Sequence, residues 1–300
     1  PALATTPAPG GLDIVALGMG VLFALMWSSA FTSARIIVAD APPLTSLTLR
    51  FLLSGVIAII VARAMGQTWH LTRPQWIATL VFGICQNALY LGLNFVAMQT
   101  VEASLAAIIA SSLPLLVGLA GWLFLGERLR PLGIAGLIMG FAGAALIMGT
   151  RLNAGVDLFG IALCGLGVMA LAFATLLLRG ASSGGNVLMI VGLQMLVGSA
   201  SLGVIAIAVE PWHVEWSGKL IAAFLYTTFV PGLAATWIWF TLVNRIGAVR
   251  AATFHFLNPF FGVAIAAVIL GETLGVIDVV GVVIIAAGIL AVQIARRPVP

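Results

Sequence analysis

Two stretches decide the fold: Leu113–Leu129, reading LPLLVGLAGWLFLGERL, and Asn258–Leu274, reading NPFFGVAIAAVILGETL. Each opens with a proline at its second position, runs on through apolar residues and closes on Leu-Gly-Glu with a further leucine two places on. Pro114 and Pro259, Gly126 and Gly271, and Glu127 and Glu272 all stand 145 residues apart, and Gly136/Gly281 and Gly143/Gly288 keep the same offset. One offset held across two helical lengths is the mark of an internal repeat. It divides the chain into halves at about 14–149 and 157–295.

Outward from those stretches, the apolar runs between polar or Pro/Gly breaks predict ten spans of about 20 residues, the length a bilayer core requires. They lie near 14–38, 44–65, 75–98, 102–125, 131–149, 157–179, 186–209, 218–243, 249–270 and 275–295. Five spans per half is an odd number, so the second half must enter the membrane inverted relative to the first. The predicted fold is an all-α membrane protein of two inverted five-helix repeats around a central cavity, the layout of many secondary transporters.

Composition excludes the alternatives. Thirteen basic and nine acidic residues make the chain only 7% charged, against 62% hydrophobic. A soluble domain carries about 25% charge, and disordered chains are polar and charge-rich. The basic residues stand singly in short loops, so topology explains the net charge of +4 better than a nucleic-acid partner does, and no nucleic acid is expected. Arg63, Arg73, Arg128, Arg130, Arg179, Arg245, Arg250, Arg296 and Arg297 fall on one side. Arg35, Arg50, Arg151 and Lys219 fall on the other. That bias places both termini in the cytoplasm, with residues 1–13 as a disordered Pro/Ala/Thr-rich tail and 296–300 as a cytoplasmic one. Cys85 and Cys164 sit inside apolar runs with no metal spacing and read as small buried hydrophobes; no metal and no cofactor is expected.

With ten spans, two five-helix repeats and a proline followed by Leu-Gly-Glu at the fourth helix of each half, the chain resembles the drug/metabolite transporter superfamily, and its EamA-type branch in particular. Trp27-Ser28-Ser29-Ala30-Phe31 in helix 1 and Arg50-Phe51 in helix 2 carry the resemblance further. Within the family it looks most like bacterial exporters of aromatic and other amino acids. The resemblance implies a basket of ten helices with a central cavity lined mainly by helices 1, 3, 4, 6, 8 and 9, helices 5 and 10 serving for packing.

The polar residues at membrane depth are the candidates for that cavity. Asn87, Tyr90 and Asn94 share one face of helix 3, and His255 and Asn258 one face of helix 9. Ser28 follows Trp27 in helix 1, and Ser111 and Ser112 precede Pro114. Amides are expensive against lipid, so these faces should turn inward; for the serines, plain interhelical hydrogen bonding is the stronger reading. Trp27, Tyr90, Trp237 and Phe254 or Phe256 are deep enough to wall a pocket. Pro114 and Pro259 kink helices 4 and 9, either as fixed bends or as hinges. Glu127 and Glu272 fall at span ends just before helices 5 and 10 and read as structural caps or loop tethers. Arg35 and Arg50 are the deepest cations; either could snorkel outward, and Arg50 could pair with a carboxylate such as Glu102 or Asp40 or attract a substrate carboxylate, snorkelling or pairing being the stronger reading.

An intramembrane enzyme would need an aspartate dyad, an HExxH pair or a serine with a positioned base. No Asp lies mid-span, and of His70, His213 and His255 only the last is inside a helix. The expected function is therefore not enzymatic. It is secondary export of small neutral or zwitterionic metabolites, amino acids including aromatic ones, across the inner membrane by alternating access, by a multi-pass protein expected to act as a monomer in the lipid bilayer. The alternative is the same fold carrying drugs, nucleosides or phosphorylated sugars. Without a mid-span carboxylate, coupling is expected to be absent or to run weakly through His255.

Overall fold

The computed structural model describes residues 13–124, 126, 130–153, 155–177, 184–211, 213–246 and 251–295. Residues 1–12, Glu127 and the tail from 296 onward lie outside the described residues. Ten helices follow one another: α1 (Ile14–Asp40), α2 (Pro43–Ala64), α3 (Arg73–Ala97), α4 (Ala103–Phe124), α5 (Pro131–Asn153), α6 (Leu158–Leu177), α7 (Val187–Val209), α8 (218–246), α9 (253–270) and α10 (Val276–Ala295). Among the described residues nine are long and apolar enough to cross a bilayer, and α9 adds a shorter apolar helix, Phe254–Leu270. Among the described residues there is no strand. In a bilayer the backbone must satisfy itself, and a helix does so within one segment.

The helix ends carry the turn chemistry that the short loops promise. Asp13 caps α1 by accepting the Ala16 N–H at 3.0 Å, Pro43 opens α2 in the first turn, where its missing N–H costs nothing, and Ser217 caps α8 through the Leu220 N–H. The Leu-Gly-Glu motif has a conformational cause: Gly126 and Gly271 sit in the left-handed region at φ 67° and 70°. That conformation stops a helix and turns the chain, and glycine adopts it without steric penalty.

Helices of one repeat pack on helices of the other. α5 lies on α10 and α2 lies on α7. A Cβ on Gly136 would come within 2.7 Å of the Gly288 carbonyl, and one on Gly143 within 3.0 Å of the Gly281 carbonyl. Since Gly281 and Gly288 are the 145-offset mates of Gly136 and Gly143, each helix offers the other the same patch in return. That is how a two-fold contact is built, here with backbones too close for any side chain.

The irregular turns obey the same offset. α3 widens into a π-helical stretch over Gly83–Leu91 and α8 over Thr228–Ala234, starting 145 residues apart. In α8 the cause is Pro231, which has no N–H to give the Thr227 carbonyl one turn back. α4 breaks at Ser112, between Ala103–Ser111 and Leu113–Phe124. α9 opens with a 3₁₀ turn, Thr253–Leu257, directly before Asn258-Pro259. Departures from α-geometry of this kind gather at functional places, and all four lie on helices other than α5 and α10.

Candidate substrate cavity

The break in α4 and the 3₁₀ turn of α9 face each other across a small cavity. α1 contributes Trp27 and Phe31, the π stretch of α3 contributes Tyr90, and α6 contributes Leu171. Ala107, Ala110, Ser111, Leu113 and Pro114 come from α4, and His255 and Asn258 from α9. The space is about 30 Å³, where one water needs roughly 10–15 Å³. As it stands the cavity is closed down around a volume of water size. A metabolite would require the helices to part.

At its polar end, the Asn258 side-chain nitrogen lies 2.9 Å from His255 Nδ1. With the amide nitrogen turned to it, Nδ1 accepts and the imidazole keeps its proton on Nε2. The ring is held in an aromatic box: edge-on to Phe23 at 5.4 Å and tilted against Trp239 at 5.1 Å. Asn258 Oδ1 is buried and unpartnered among the described residues. Such an acceptor costs about 1–3 kcal/mol until a water or a ligand N–H reaches it. Ser28 clamps α1 to this point by donating to the Asn258 carbonyl at 3.3 Å.

Of the residues expected to line the cavity, Trp27, Tyr90, Ser111, His255 and Asn258 are brought together, with Pro114 in the wall and Ser28 and Pro259 directly behind it. Ser111 spends its hydroxyl on the Ile108 carbonyl at 2.7 Å, as a helical serine does. Tyr90 is 3% exposed. Three expected residues are placed elsewhere. Asn87 turns to α7 and donates to the Gln194 carbonyl at 2.9 Å. Asn94 folds back on its own helix, donating to the Tyr90 carbonyl at 2.7 Å. The π stretch is the reason: it changes the turn of α3 between Gly83 and Leu91, so an i, i+3, i+7 face computed for a regular helix does not hold. Trp237 is 63% exposed on the outer surface; its neighbour two places on, Trp239, points inward to His255 instead. Both stand in the run Trp237-Ile238-Trp239, where residue type does not tell one from the other.

Glu272 lies well away from the cavity and does cap a helix, though not the adjacent α10. Its two carboxylate oxygens accept the Ala103 N–H at 2.8 Å and the Ser104 N–H at 3.0 Å, which are the first turn of α4 in the other repeat. Glu210 does the same for α2, accepting the Leu44 and Thr45 N–H groups at 2.7 and 2.8 Å. Sequence reading gave Glu210 no role, since a cap supplied from another helix leaves no local spacing to find. Asp13 bridges to Arg245 at 2.7 Å, tying the start of α1 to the end of α8. The Arg245 guanidinium, with the Ala16 N–H behind it, holds that carboxyl below the usual range.

The two cations read as snorkelling or ion-paired behave otherwise. Arg35 donates to the Met98 carbonyl at the end of α3. Arg50 is 5% exposed, stacks over Phe51 at 5.3 Å and has no carboxylate partner among the described residues.

The sequence profile of the EamA-like transporter family matches this chain twice, over residues 14–149 and 158–293. The chain belongs to the EamA-like transporter family. Its relatives in that family include an uncharacterized transporter of Bacillus subtilis, YvbV, 27% identical over 90% of this chain and 88% of that one. An uncharacterized inner membrane transporter of Escherichia coli, YedA, is 26% identical over 94% and 92%. The aromatic amino acid exporter YddG of Ancylobacter novellus is 31% identical over a shorter match, 44% of this chain and 46% of its own. A solved crystal structure 20% identical in sequence superposes over 95% of this chain and 99% of its own with a TM-score of 0.68, which shows the shared fold. Members of the family are named as transporters, and at that level this EamA-like protein is a membrane-embedded transporter of small molecules.

Proposed function

We propose that the protein is a secondary exporter of small neutral or zwitterionic metabolites, amino acids including aromatic ones, working by alternating access in the inner membrane with both termini cytoplasmic. The observation that carries this reading is the cavity wall. Trp27, Phe31 and Tyr90 give aromatic surface, His255 and Asn258 give a neutral polar pair, and among the described residues no Lys, Arg, Asp or Glu lines it. Apolar walls with a few fixed polar groups suit a small uncharged body, whereas a phosphorylated cargo would call for cations there. The partial match to an aromatic amino acid exporter and the inner-membrane relative support the same reading. The basic residues expected on the terminal side support the orientation.

Flux of labelled tyrosine, phenylalanine and tryptophan from proteoliposomes tests the proposal. Tyr90→Ala and Trp27→Ala should each lower flux about tenfold or more, with the folded protein intact by circular dichroism. Trp237→Ala, on the outer surface, should leave flux near the wild-type value. Equal flux in all three variants would sink the cavity assignment. Coupling is read by imposing a pH gradient: flux should be unaffected by it, or weakly dependent in a way that His255→Ala abolishes. A strong dependence that survives His255→Ala would refute both.

A further inference from the structure

Two seals flank the cavity, and they are built differently. Toward the face where α4 begins and α9 ends, those two helices lie directly on each other. A Cβ on Gly262 would stand 2.5 Å from the Ala107 Cβ, and beyond that crossing Glu272 holds the first turn of α4. Ala107, Val263 and Ala266 there belong to the main buried core. Toward the face where α1 begins and α8 ends, the seal is a small cluster apart from that core. Ala16 of α1, Leu242 of α8 and Ala251 just before α9 are its buried centre, with Trp239 and Phe254 packed against them.

Phe254 carries this second seal across to α1. It lies in the 3₁₀ turn that opens α9 and directly precedes His255 of the cavity wall. Its ring occupies the place that a side chain on Gly20 would take: a Cβ added there would run into the ring itself. Trp239 packs on the same cluster and also touches His255, so the cluster is the next layer out from the cavity. Outermost, Asp13 and Arg245 join the start of α1 to the end of α8 at 2.7 Å. This pair is partly exposed, and exposed ion pairs hold weakly. Of the two ways out of the cavity, this one is closed by less: one ring in a glycine notch, a few apolar contacts and a surface ion pair. The 3₁₀ turn supplies the freedom, since such stretches often mark hinges, and packed contacts change between discrete arrangements rather than deform.

We propose that Phe254, seated against Gly20, is the gate between the cavity and the face where α1 begins and α8 ends, and that the Asp13–Arg245 pair latches it. The ring leaves its notch when the 3₁₀ turn of α9 shifts, and the cavity then opens to that face while the crossing of α4 and α9 keeps the other closed. The inference rests on the reading of the cavity as the cargo site. With the termini cytoplasmic, this is the side from which an exporter loads.

The test uses full-length protein in right-side-out and inverted membrane vesicles. The parent carries Cys85→Ala and Cys164→Ala, with Ala110→Cys as a reporter in the cavity wall. A membrane-impermeant maleimide is added, and the rate of labelling is read from each face. Phe254→Ala should speed labelling from the gated face about tenfold or more, since access scales with the fraction of molecules that are open, and leave the opposite face unchanged. Gly20→Ala, which denies the ring its notch, should do the same. Gly18→Ala, with nothing within 4 Å of its new Cβ, should match the parent. Asp13→Asn should give a smaller rise from the same face. Melting temperatures of all variants are taken alongside. The gate is overturned if Phe254→Ala and Gly20→Ala label at the parent's rate, or if they speed labelling equally from both faces, as a loosened fold would. Labelling needs no cargo, so the outcome is separate from the exporter reading. Faster one-sided labelling without amino-acid flux keeps the gate and removes the cargo.

Discussion

At the scale of single residues, two carboxylates of the second repeat serve helix ends of the first. Glu272 and Glu210 each take two first-turn N–H groups of a helix from the opposite repeat, groups that no helix can satisfy for itself. Replacing Glu272 by Ala should cost roughly 1–2 kcal/mol, the worth of a charged N-terminal cap in partly buried surroundings, while Gln should retain much of it. Thermal unfolding of the two variants in detergent decides this, and an Ala variant as stable as wild type would refute the capping role. Asp13 gives a pH-dependent counterpart. Its carboxyl is held below the ordinary value of 3.8 by Arg245, so its contribution is complete above that value and fades as pH falls through the lowered one. Removing Asp13 should therefore lower the melting temperature equally at pH 5 and pH 7, and a difference confined to one of those would contradict the assignment.

At the scale of helices, regularity and its breaks do separate work. α5 and α10 approach through Gly136, Gly143, Gly281 and Gly288, where contact is backbone on backbone. A methyl group added at Gly288 would lie 2.6 Å from the Gly140 nitrogen, and backbone cannot turn aside as a side chain would. Gly288→Ala should thus destabilise by about 1–3 kcal/mol, whereas Gly165→Ala, with nothing within 4 Å of its new Cβ, should be neutral. Comparing their melting temperatures checks the pair. The sequence pattern carried these helices well, because an unbroken apolar run with a polar or Pro/Gly break at each end has few readings in a bilayer. It carried the irregular helices poorly. Asn87 and Asn94 left the expected face because a π turn intervenes, and a π turn without a proline, as in α3, has no local signature. Trp239 rather than Trp237 faces inward because lipid and protein interior are equally apolar, which removes the contrast on which face assignment depends.

At the scale of the whole molecule, the 145-residue offset organises more than the repeat count. It relates the glycines of α5 and α10, the π stretches of α3 and α8, and the prolines of α4 and α9, so the two halves bend at matched places. It relates positions in the cavity wall without giving them the same side chains. His255 and Asn258 correspond to Ala110 and Leu113 in the other half, and Tyr90 corresponds to Ala235. A symmetric frame thus encloses an asymmetric cavity, which is why a search for repeated residues found the architecture and passed over half of the cavity wall.

The caps that pass between repeats also set an order of assembly. The start of α4 waits for a carboxylate 169 residues further along the chain, and the start of α2 for one 166 residues on. At ribosomal speeds of about 5–20 residues per second, α4 spends roughly ten to thirty seconds in the bilayer with its first turn unfinished. Over that interval the first half is a nascent intermediate with bare amide groups at its rim.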